Sequence, residues 1–186
     1  MELKQVNIIL MRFKDYVIQQ SRSNLSKSNK NNSKTLYNSI KGEVVASDNY
    51  SIVGFSMDYY GQFIDKGVKG ADPSKVSPNS KITGQQAPNS PFSFKNRMPP
   101  SKPLAAWAKS KNLRLRDDKG KFKEGSYNTI GIILAKNIWA RGIKPSLFFT
   151  KPFEEGYKKY IGVDLMKAFG QDIDTMIDYN LKDIKW

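Results

Sequence analysis

The sequence predicts an α+β fold, in which a short antiparallel sheet is packed by N-terminal, middle and C-terminal helices. Apolar residues near both ends of the chain recur every three or four positions, which is the period of an amphipathic helix. Two short runs rich in β-branched and aromatic residues flank a single turn, as in an antiparallel pair. Strands and helices do not alternate, so a parallel α/β sheet is not expected. The length suits one domain over residues 1–186.

The N-terminal region predicts two helices separated by a polar connector. Residues 3–18 carry one apolar stripe and are expected to form the first helix. The connector over residues 21–33 is rich in serine and asparagine and is a candidate arm for reaching a neighbouring molecule. Ser33 is placed to cap a short second helix over residues 34–40.

The predicted sheet follows these helices. Strands over residues 43–47 and 50–56 flank Asp48-Asn49, a pair that tolerates the positive φ of a tight turn. One or two helical turns are expected over residues 58–66, and Gly67 is placed to end them.

A basic insertion, rich in proline and glycine, is predicted over residues 67–125. Its first part, residues 67–103, holds most of the nine prolines and shows no periodicity. We expect neighbouring molecules to order it, because long structureless stretches in compact domains are usually functional or disordered. Residues 114–125 predict a hairpin that turns at Asp118-Lys119-Gly120. A helix starts at Ser101 with apolar positions Leu104, Trp107, Ala108 and Leu113.

Two C-terminal helices complete the prediction. Residues 127–141 are expected to form a helix that ends at Gly142, with a buried stripe of Ile130, Ile133, Leu134, Ile138 and Trp139. The last helix is expected to start near Pro152 and to continue towards Tyr179. Its apolar stripe comprises Tyr157, Ile161, Leu165, Ala168, Phe169, Ile173, Met176 and Ile177.

The positive charge of the chain is concentrated in the insertion. The chain has 31 basic and 17 acidic residues, and residues 66–123 alone hold 14 basic and 3 acidic ones. Such a block predicts contact with a polyanion, either nucleic acid or an acidic protein surface, although a solvated loop explains it equally well. The candidate interface or polyanion contacts are Lys95, Arg97, Lys102, Lys109, Lys111, Arg114 and Arg116.

Aromatic residues lie among these cations. Phe92, Phe94 and Trp107 suit stacking on nucleic-acid bases. Phe92 and Phe94 also suit anchors that pin the proline-rich stretch to its own domain or to a neighbour. We favour the anchoring interpretation.

The composition excludes many kinds of active site. The chain has no cysteine and no histidine, which excludes disulfides, thiolate nucleophiles, Ser-His-Asp triads and metal sites built on these residues. The sequence contains no P-loop, dinucleotide-binding, nucleophile-elbow or EF-hand motif. We therefore predict a protein that is not an enzyme, with no catalytic residue, cofactor or metal.

Carboxylates offer the one metal-dependent alternative. Glu43, Asp58 and Asp65, with Lys66, would suit a nuclease site. A helix cap at Asp58 and a local lysine pair at Asp65 explain these residues more simply. A second acidic set is expected on the solvated face of the last helix, and it comprises Asp172, Asp174 and Asp178.

The hydropathy of the chain predicts a soluble protein. Its longest apolar runs, residues 8–11 and 130–135, are far shorter than the ~20 residues of a membrane span. The first residues lack the pattern of a signal peptide. We expect a protein that is not secreted and has no membrane partner.

Two segments of the chain resemble a known family. The first, MDYYGQFIDKG at residues 57–67, contains Tyr60, Phe63, Asp65 and Gly67. The second begins with RGIKPSLFF at residues 141–149 and contributes Pro145, Phe148, Phe149, Pro152 and Phe153. In both, the chain resembles the neck or tail-completion proteins of tailed bacteriophages, the head–tail joining family that includes the HK97-type tail-completion protein. The N-terminal and C-terminal helices also lie where that family has them.

The resemblance implies a structural role without catalysis. It implies that copies of the chain assemble into a ring of six or twelve subunits in the neck of the virion, after synthesis in the host cytoplasm. The implied partners are the portal and adaptor proteins of the head, the proteins of the tail, and DNA in the channel. In this interpretation the matched residues are a core motif. Phe148, Phe149 and Phe153 are expected to pack beneath Tyr59, Tyr60 and Phe63.

Our leading hypothesis is therefore a neck-ring subunit that joins head to tail. The alternative is a DNA-binding protein or a carboxylate-metal nuclease that uses the basic insertion to grip phosphates. A third hypothesis is a toxin-type or immunity-type module that binds one acidic partner.

Overall fold

The contacts of the protein divide it into two compact units. The terminal unit joins Met1–Gly61 to Leu147–Trp186, and the central unit is Gln62–Ser146. Both contain helices and two-stranded antiparallel sheets, which confirms the α+β class. The single domain expected from the sequence stays a prediction. A computed structural model describes residues 3–28, 34–47, 50–76, 80–117 and 119–182.

Short strands connect a series of helices along the chain. The strands pair as β1 with β2, β3 with β6 and β4 with β5, all antiparallel. In chain order, the elements are α1 (Lys4–Lys27), α2 (Thr35–Ser39), β1 (Lys41–Ala46), β2 (Ser51–Ser56), α3 (Gly61–Lys66), β3 (Val68–Lys69), a 3-10 turn (Pro73–Lys75), α4 (Ser101–Ser110), β4 (Leu115–Arg116), β5 (Phe122–Lys123), α5 (Tyr127–Arg141), β6 (Gly142–Ile143), α6 (Thr150–Gly156), a π-helical turn (Tyr157–Ile161) and α7 (Asp164–Lys182).

Helix α1 continues well beyond the predicted end at residue 18. Val17, Ser21 and Leu25 are fully buried and lie four residues apart, so they extend the apolar stripe of the helix. The guanidinium of Arg22 donates hydrogen bonds to the carbonyls of Tyr37 and Ile40. The predicted polar connector is therefore wrong over residues 21–27, because burial of Leu25 outweighs the low helix propensity of serine and asparagine.

Three predicted features include residues outside the described part of the chain. The first is the rest of the connector over residues 29–33, including the Ser33 cap. The second is the hairpin turn at Asp118-Lys119-Gly120, through Asp118. The third is the turn at Asp48-Asn49. The pairing on either side of that turn is as predicted, since β1 and β2 pair in register from Lys41 with Ser56 to Ala46 with Ser51.

The core of the terminal unit is a cluster of aromatic rings around Phe13. The Phe13 ring meets Phe55 and Phe153 edge to face, with centroids 5.8 and 5.4 Å apart. Phe55 also meets Phe149 at 5.6 Å. The sequence-based expectation omits Phe13 and Phe55, and it wrongly covers these rings with Tyr59, which is 77% exposed. The rings that contact Phe149 and Phe153 thus come from helix α1 and strand β2, because each of these elements packs one face against the core.

Asp172 of α7 caps the start of α1. Its two carboxylate oxygens accept hydrogen bonds from the backbone N–H groups of Gln5 and Val6, each at 3.0 Å. The first N–H groups of a helix lack partners within it, and a negative charge there also favours the helix dipole. Asp172 is buried, so its predicted place on a solvated face is wrong. Asp174 and Asp178 are exposed, as predicted.

The apolar residues of α7 form two stripes, where the sequence suggested one. Leu165 and Ala168 pack against Val6 and Leu10 of α1. A second stripe is exposed, and Met166 is the most exposed of it, at 76%. The apolar residues of α7 thus cover a wider part of the helix surface than the part that contacts α1. The α7 apolar stripe comprises Met166, Phe169, Ile173 and Ile177.

The predicted C-terminal helix is also interrupted. A π-helical turn at Tyr157–Ile161 separates α6 from α7. Tyr157, which was expected in the buried stripe, is 52% exposed. The extra residue in such a turn rotates the following positions around the helix axis, so one periodicity does not describe both sides of it.

Helices α4 and α5 of the central unit pack through small residues. A Cβ added to Gly131 of α5 would lie 2.6 Å from the Ser101 carbonyl oxygen and 2.9 Å from the Cβ of Ala105. Three alanines, Ala105, Ala108 and Ala135, are as buried as the residues of the core. The two backbones therefore approach closely, as helices do where glycine and alanine line the contact.

This close packing corrects the predicted stripes of both helices. Trp107 of α4 and Ile133 of α5 were expected in the core, but they are 39% and 38% exposed. Ala108 and Ile130 are buried, as predicted. A large side chain does not fit between two helices in close contact, so small residues take the inner positions.

Replacing Asp172 by alanine should lower the free energy of unfolding by about 1–2 kcal/mol, because two backbone N–H groups of α1 lose their cap. Asp174→Ala removes an exposed carboxylate from the same helix and should change stability by less than about 0.5 kcal/mol. Urea denaturation followed by circular dichroism measures both. Equal effects of the two substitutions would contradict the capping role.

Glycine-to-alanine substitutions should act with opposite signs at two helical positions. Gly131→Ala should destabilise the protein by about 1–3 kcal/mol, since the new methyl group overlaps α4. Gly170 of α7 has no atom within 4 Å of an added Cβ, so Gly170→Ala should stabilise by about 0.5–1 kcal/mol. The difference in melting temperature between the two variants tests this contrast.

Candidate functional site

The central unit brings together two segments that are far apart in sequence. Strand β3 pairs with β6, with Val68 opposite Ile143 and Lys69 opposite Gly142. Ser146 extends this contact, because its Oγ donates to the Ile64 carbonyl at 2.7 Å across 82 residues of sequence. We call this arrangement of α3, β3 and β6 the clasp. It joins segment 57–67 to segment 141–149, the two segments that carry the family resemblance.

Gly67 is required at the centre of the clasp. Its φ of 71° lies in the left-handed region that favours glycine, and it follows the last residue of α3. An added Cβ would lie 2.7 Å from the nitrogen of Pro145 and would also strike the carbonyl of Ile143. The prediction that Gly67 ends the helix is confirmed. Its lack of a side chain also lets the second segment approach.

Two other residues of the matched motif lie in the central unit. Asp65 is 3% exposed, and its carbonyl accepts a hydrogen bond from the Ser146 N–H. Phe63 is half-buried and packs edge to face on Phe92, with ring centroids 4.7 Å apart. These two contacts, with Ser146 and with Phe92, are made inside the unit and contribute to its packing.

The remaining motif residues lie in the terminal unit. Phe148 is fully buried, Phe149 is half-buried and Phe153 is 36% exposed. Tyr60 is 41% exposed. Partial burial raises the pKa of the Tyr60 phenol above its usual value, and the charge of Asp58 adds to this effect.

The proline-rich stretch is fastened to the end of α5. Backbone N–H groups of Ala71 and Asp72 donate to the carbonyls of Trp139 and Ala140, and Gln86 donates to the carbonyl of Arg141. The side-chain amide of Gln85 bonds both the N–H and the carbonyl of Gly70. Hydrogen-bond partners within the chain thus hold the backbone of Gly70, Ala71, Asp72 and Gln86. The ordering of the insertion by neighbouring molecules stays a prediction.

Phe92 is an anchor, as the favoured interpretation states. Besides its ring contact with Phe63, its carbonyl accepts a hydrogen bond from the Lys69 N–H at 2.8 Å. Phe94 returns a hydrogen bond from its own N–H to the Lys69 carbonyl at 2.9 Å. The two aromatic residues flank this backbone pairing, which holds the stretch against β3.

Arg141 holds a further part of the stretch. Its guanidinium donates to the Ile82 carbonyl at 3.3 Å and to the Ser80 hydroxyl at 3.4 Å. Partial burial lowers the pKa of the Arg141 guanidinium, although the group remains charged at neutral pH. The second matched segment therefore begins with a residue that fixes the insertion.

The seven candidate cations are all exposed. Lys102 and Lys109 lie on one face of α4, seven residues apart, and Lys111 directly follows that helix. Arg114 and Arg116 belong to the β4–β5 hairpin. Lys95 and Arg97 line a shallow groove of about 510 Å³ together with Phe94, Met98 and Pro99. All seven side chains are thus available to a partner, and they are distributed over three elements of the central unit.

The hairpin contains a ring that the sequence-based selection omitted. Phe122 of β5 lies directly opposite Arg116 of β4, and the guanidinium carbon of Arg116 is 4.4 Å from the ring centroid. The guanidinium of Arg114 approaches the same ring at 5.6 Å. The alternation of charged and apolar residues in the predicted hairpin was the signal that would have identified Phe122.

The proposed carboxylate site is not assembled. Glu43 and Asp58 lie in the terminal unit, whereas Asp65 is buried in the central unit. Among the described residues, no group of three or more acidic side chains is placed to hold a metal ion. The backbone carbonyl of Asp58 accepts a hydrogen bond from Gly61 at the start of α3.

Comparisons of the chain with protein-family models, with curated protein sequences and with solved structures find no match. In the part of the chain that the structure describes, no helix has the length and apolar character needed to cross a bilayer.

A methyl group at position 67 should damage the clasp more than one at position 84. Gly67→Ala should cost about 3 kcal/mol or more, because a strained φ is combined with backbone overlap. Gly84 has a similar φ of 74° but no atom within 4 Å of an added Cβ, so Gly84→Ala should cost only about 1 kcal/mol. Urea denaturation of both variants separates overlap from strain. Similar losses would show that the close approach is unimportant.

Proposed function

We propose that this protein is a virion structural protein, a subunit of an oligomeric neck ring that joins the head of a tailed bacteriophage to its tail. The observation that carries the proposal is the clasp. Ser146 of one segment that resembles the neck or tail-completion family donates hydrogen bonds to the Ile64 and Asp65 carbonyls of the other, although the insertion separates the two in sequence. Strand β3, which directly follows the first segment, pairs with β6 in the second. Segments that form one structural motif in a family are expected to meet in this way.

The chemistry of the clasp agrees with a structural role. Gly67 and Gly142 both have positive φ and lie where the backbones meet, so they provide close packing. Asp65 is buried, and its carbonyl accepts a hydrogen bond from Ser146. The matched residues therefore hold a scaffold together and leave contacts with other molecules to the exposed parts of the chain.

The α7 apolar stripe is the surface through which we expect subunits to meet. Its four side chains are between 38% and 76% exposed. Single exposed apolar residues are common, but a row along one helix is typical of a protein–protein interface. The occupant in this proposal is a second copy of the chain.

Charge favours a head-to-tail contact between copies. The exposed acidic residues Asp174 and Asp178 accompany the stripe on α7 and outnumber Lys167, the exposed lysine among its described side chains, so two α7 helices in contact would bring like charges together. The central unit of another copy carries 17 basic and 5 acidic residues and complements them. A contact between two different surfaces repeats from copy to copy, and it produces a ring when the rotation closes.

In this proposal the predicted insertion at residues 67–125 contacts the proteins on either side of the ring. Its exposed cations on α4 are Lys102 and Lys109. They would face the portal and adaptor proteins on one side of the ring or the tail proteins on the other. The assembled protein would lie in the neck region of the virion.

Mass photometry over a range of concentrations tests the ring. We expect discrete masses of six or twelve subunits to appear as concentration rises. Met166→Lys combined with Ile177→Lys should abolish these masses, because each lysine places a solvated charge in the apolar contact. Gln171→Lys combined with Thr175→Lys adds the same charge to exposed polar positions of α7 and serves as the control.

The stripe variants should fold like the parent, since both replaced side chains are exposed in the isolated chain. A protein that stays monomeric at every concentration, both alone and with a portal ring as template, would contradict the proposal. Equal loss of assembly in the control variant would show that charge, and not the stripe, decides the contact.

A further inference from the structure

The β4–β5 hairpin concentrates positive charge in a small volume. Five of the ten residues from 114 to 123 are lysine or arginine, and all five are exposed. The hairpin also exposes 62% of the Phe122 ring. The five cations are Arg114, Arg116, Lys119, Lys121 and Lys123.

The two arginines are held in place by the hairpin itself. Residues 114 and 116 alternate with Leu115 along the strand, so their side chains lie on one face with Phe122. Both guanidinium groups lie within 6 Å of the ring centroid, which is the range of a cation–π contact. Arg116 also donates a hydrogen bond to the Gly120 carbonyl at 2.7 Å. The hairpin thus holds two guanidinium groups in place in the absence of a partner, and each of them can donate two parallel hydrogen bonds.

Three acidic residues lie in or beside the hairpin, and they are Asp117, Asp118 and Glu124, of which Asp118 is outside the described residues. The Oδ1 atom of Asp117 accepts hydrogen bonds from the backbone N–H groups of Lys119 and Lys121, so it serves the turn. Glu124 is exposed and follows β5. Among the described residues, neither Asp117 nor Glu124 forms an ion pair with a hairpin cation.

We propose that this hairpin binds the phosphodiester backbone of duplex DNA, with Arg114 and Arg116 as the phosphate contacts. The forked guanidinium matches a phosphate through two parallel hydrogen bonds. Duplex DNA carries one charge per ~1.7 Å of its axis, a density that suits five cations in ten residues better than the sparser carboxylates of a protein surface. The proposal goes beyond the ring and does not rest on it.

Fluorescence anisotropy with a short labelled duplex of mixed sequence, over a series of salt concentrations, tests the hairpin. The full-length protein should bind, and its log affinity should fall linearly with log salt. Arg114→Ala combined with Arg116→Ala should weaken binding about tenfold or more and reduce the salt slope by roughly 2. Circular dichroism confirms that the variant remains folded.

The matched control removes the same charge elsewhere. Lys4→Ala combined with Arg12→Ala deletes two exposed cations of α1 and should change affinity by less than about threefold. Glu124→Gln should strengthen binding, because it removes a negative charge beside the arginines. An arginine-to-lysine pair at 114 and 116 should retain the salt slope but lose part of the affinity.

Three results would overturn the proposal. The first is no binding by the full-length protein at the lowest salt. The second is an equal effect of the hairpin and control variants. The third is tighter binding of poly-glutamate than of the duplex, which would assign the face to an acidic protein. Mass photometry without DNA records the ring separately, so a failure of either proposal is recognised by itself.

Discussion

The close approach of two backbone segments at the clasp is the constraint on which the central unit depends. Gly67, Gly70 and Gly142 lie where these segments meet, and an added Cβ at any of them would strike backbone atoms. The bond between Ser146 and Ile64 then closes the unit across 82 residues. The chain between these positions, from the proline-rich stretch to α5, therefore begins and ends at the clasp. The basic residues lie on this part of the chain, so the glycines of the clasp, and not the cations, determine where it is attached.

The terminal unit is organised in a different way, around a single long helix. Helix α1 contributes Phe13 to the aromatic cluster and its N-terminus to the carboxylate of Asp172. One face of α7 is committed to this contact, and the other face retains an apolar row. The packing of this unit thus leaves an apolar surface exposed, while the central unit leaves a charged surface exposed. The proposed neck-ring subunit would need two surfaces of such different character to bridge unlike neighbours.

Local patterns in the sequence predicted the α+β class, the β1–β2 pair, the hairpin at 114–125 and the helix end at Gly67. They also identified Phe92 as an anchor. They failed where a partner distant in sequence decides the outcome. Serine and asparagine indicated that α1 ends early, but burial of Leu25 extends it. Periodicity placed Trp107 inside, but Ala105 and Ala108 take the buried positions of α4, where Gly131 lets α5 approach Ala105 closely. The cap at Asp172 could not be found, because nothing near it in sequence shows that α1 lies beside it. Of the candidate site, the cations were identified, but not the Phe122 ring that positions two of them.

The clasp also affects how the chain tolerates change in length. Because the two ends of the central unit are tied together, residues between them form a closed loop, and the entropy of closing a loop grows only slowly with its length. Additions within such a loop leave the tied ends where they are. The central unit should therefore accept residues added between Ile64 and Ser146 at little cost in stability, as long as the contacts of the clasp remain.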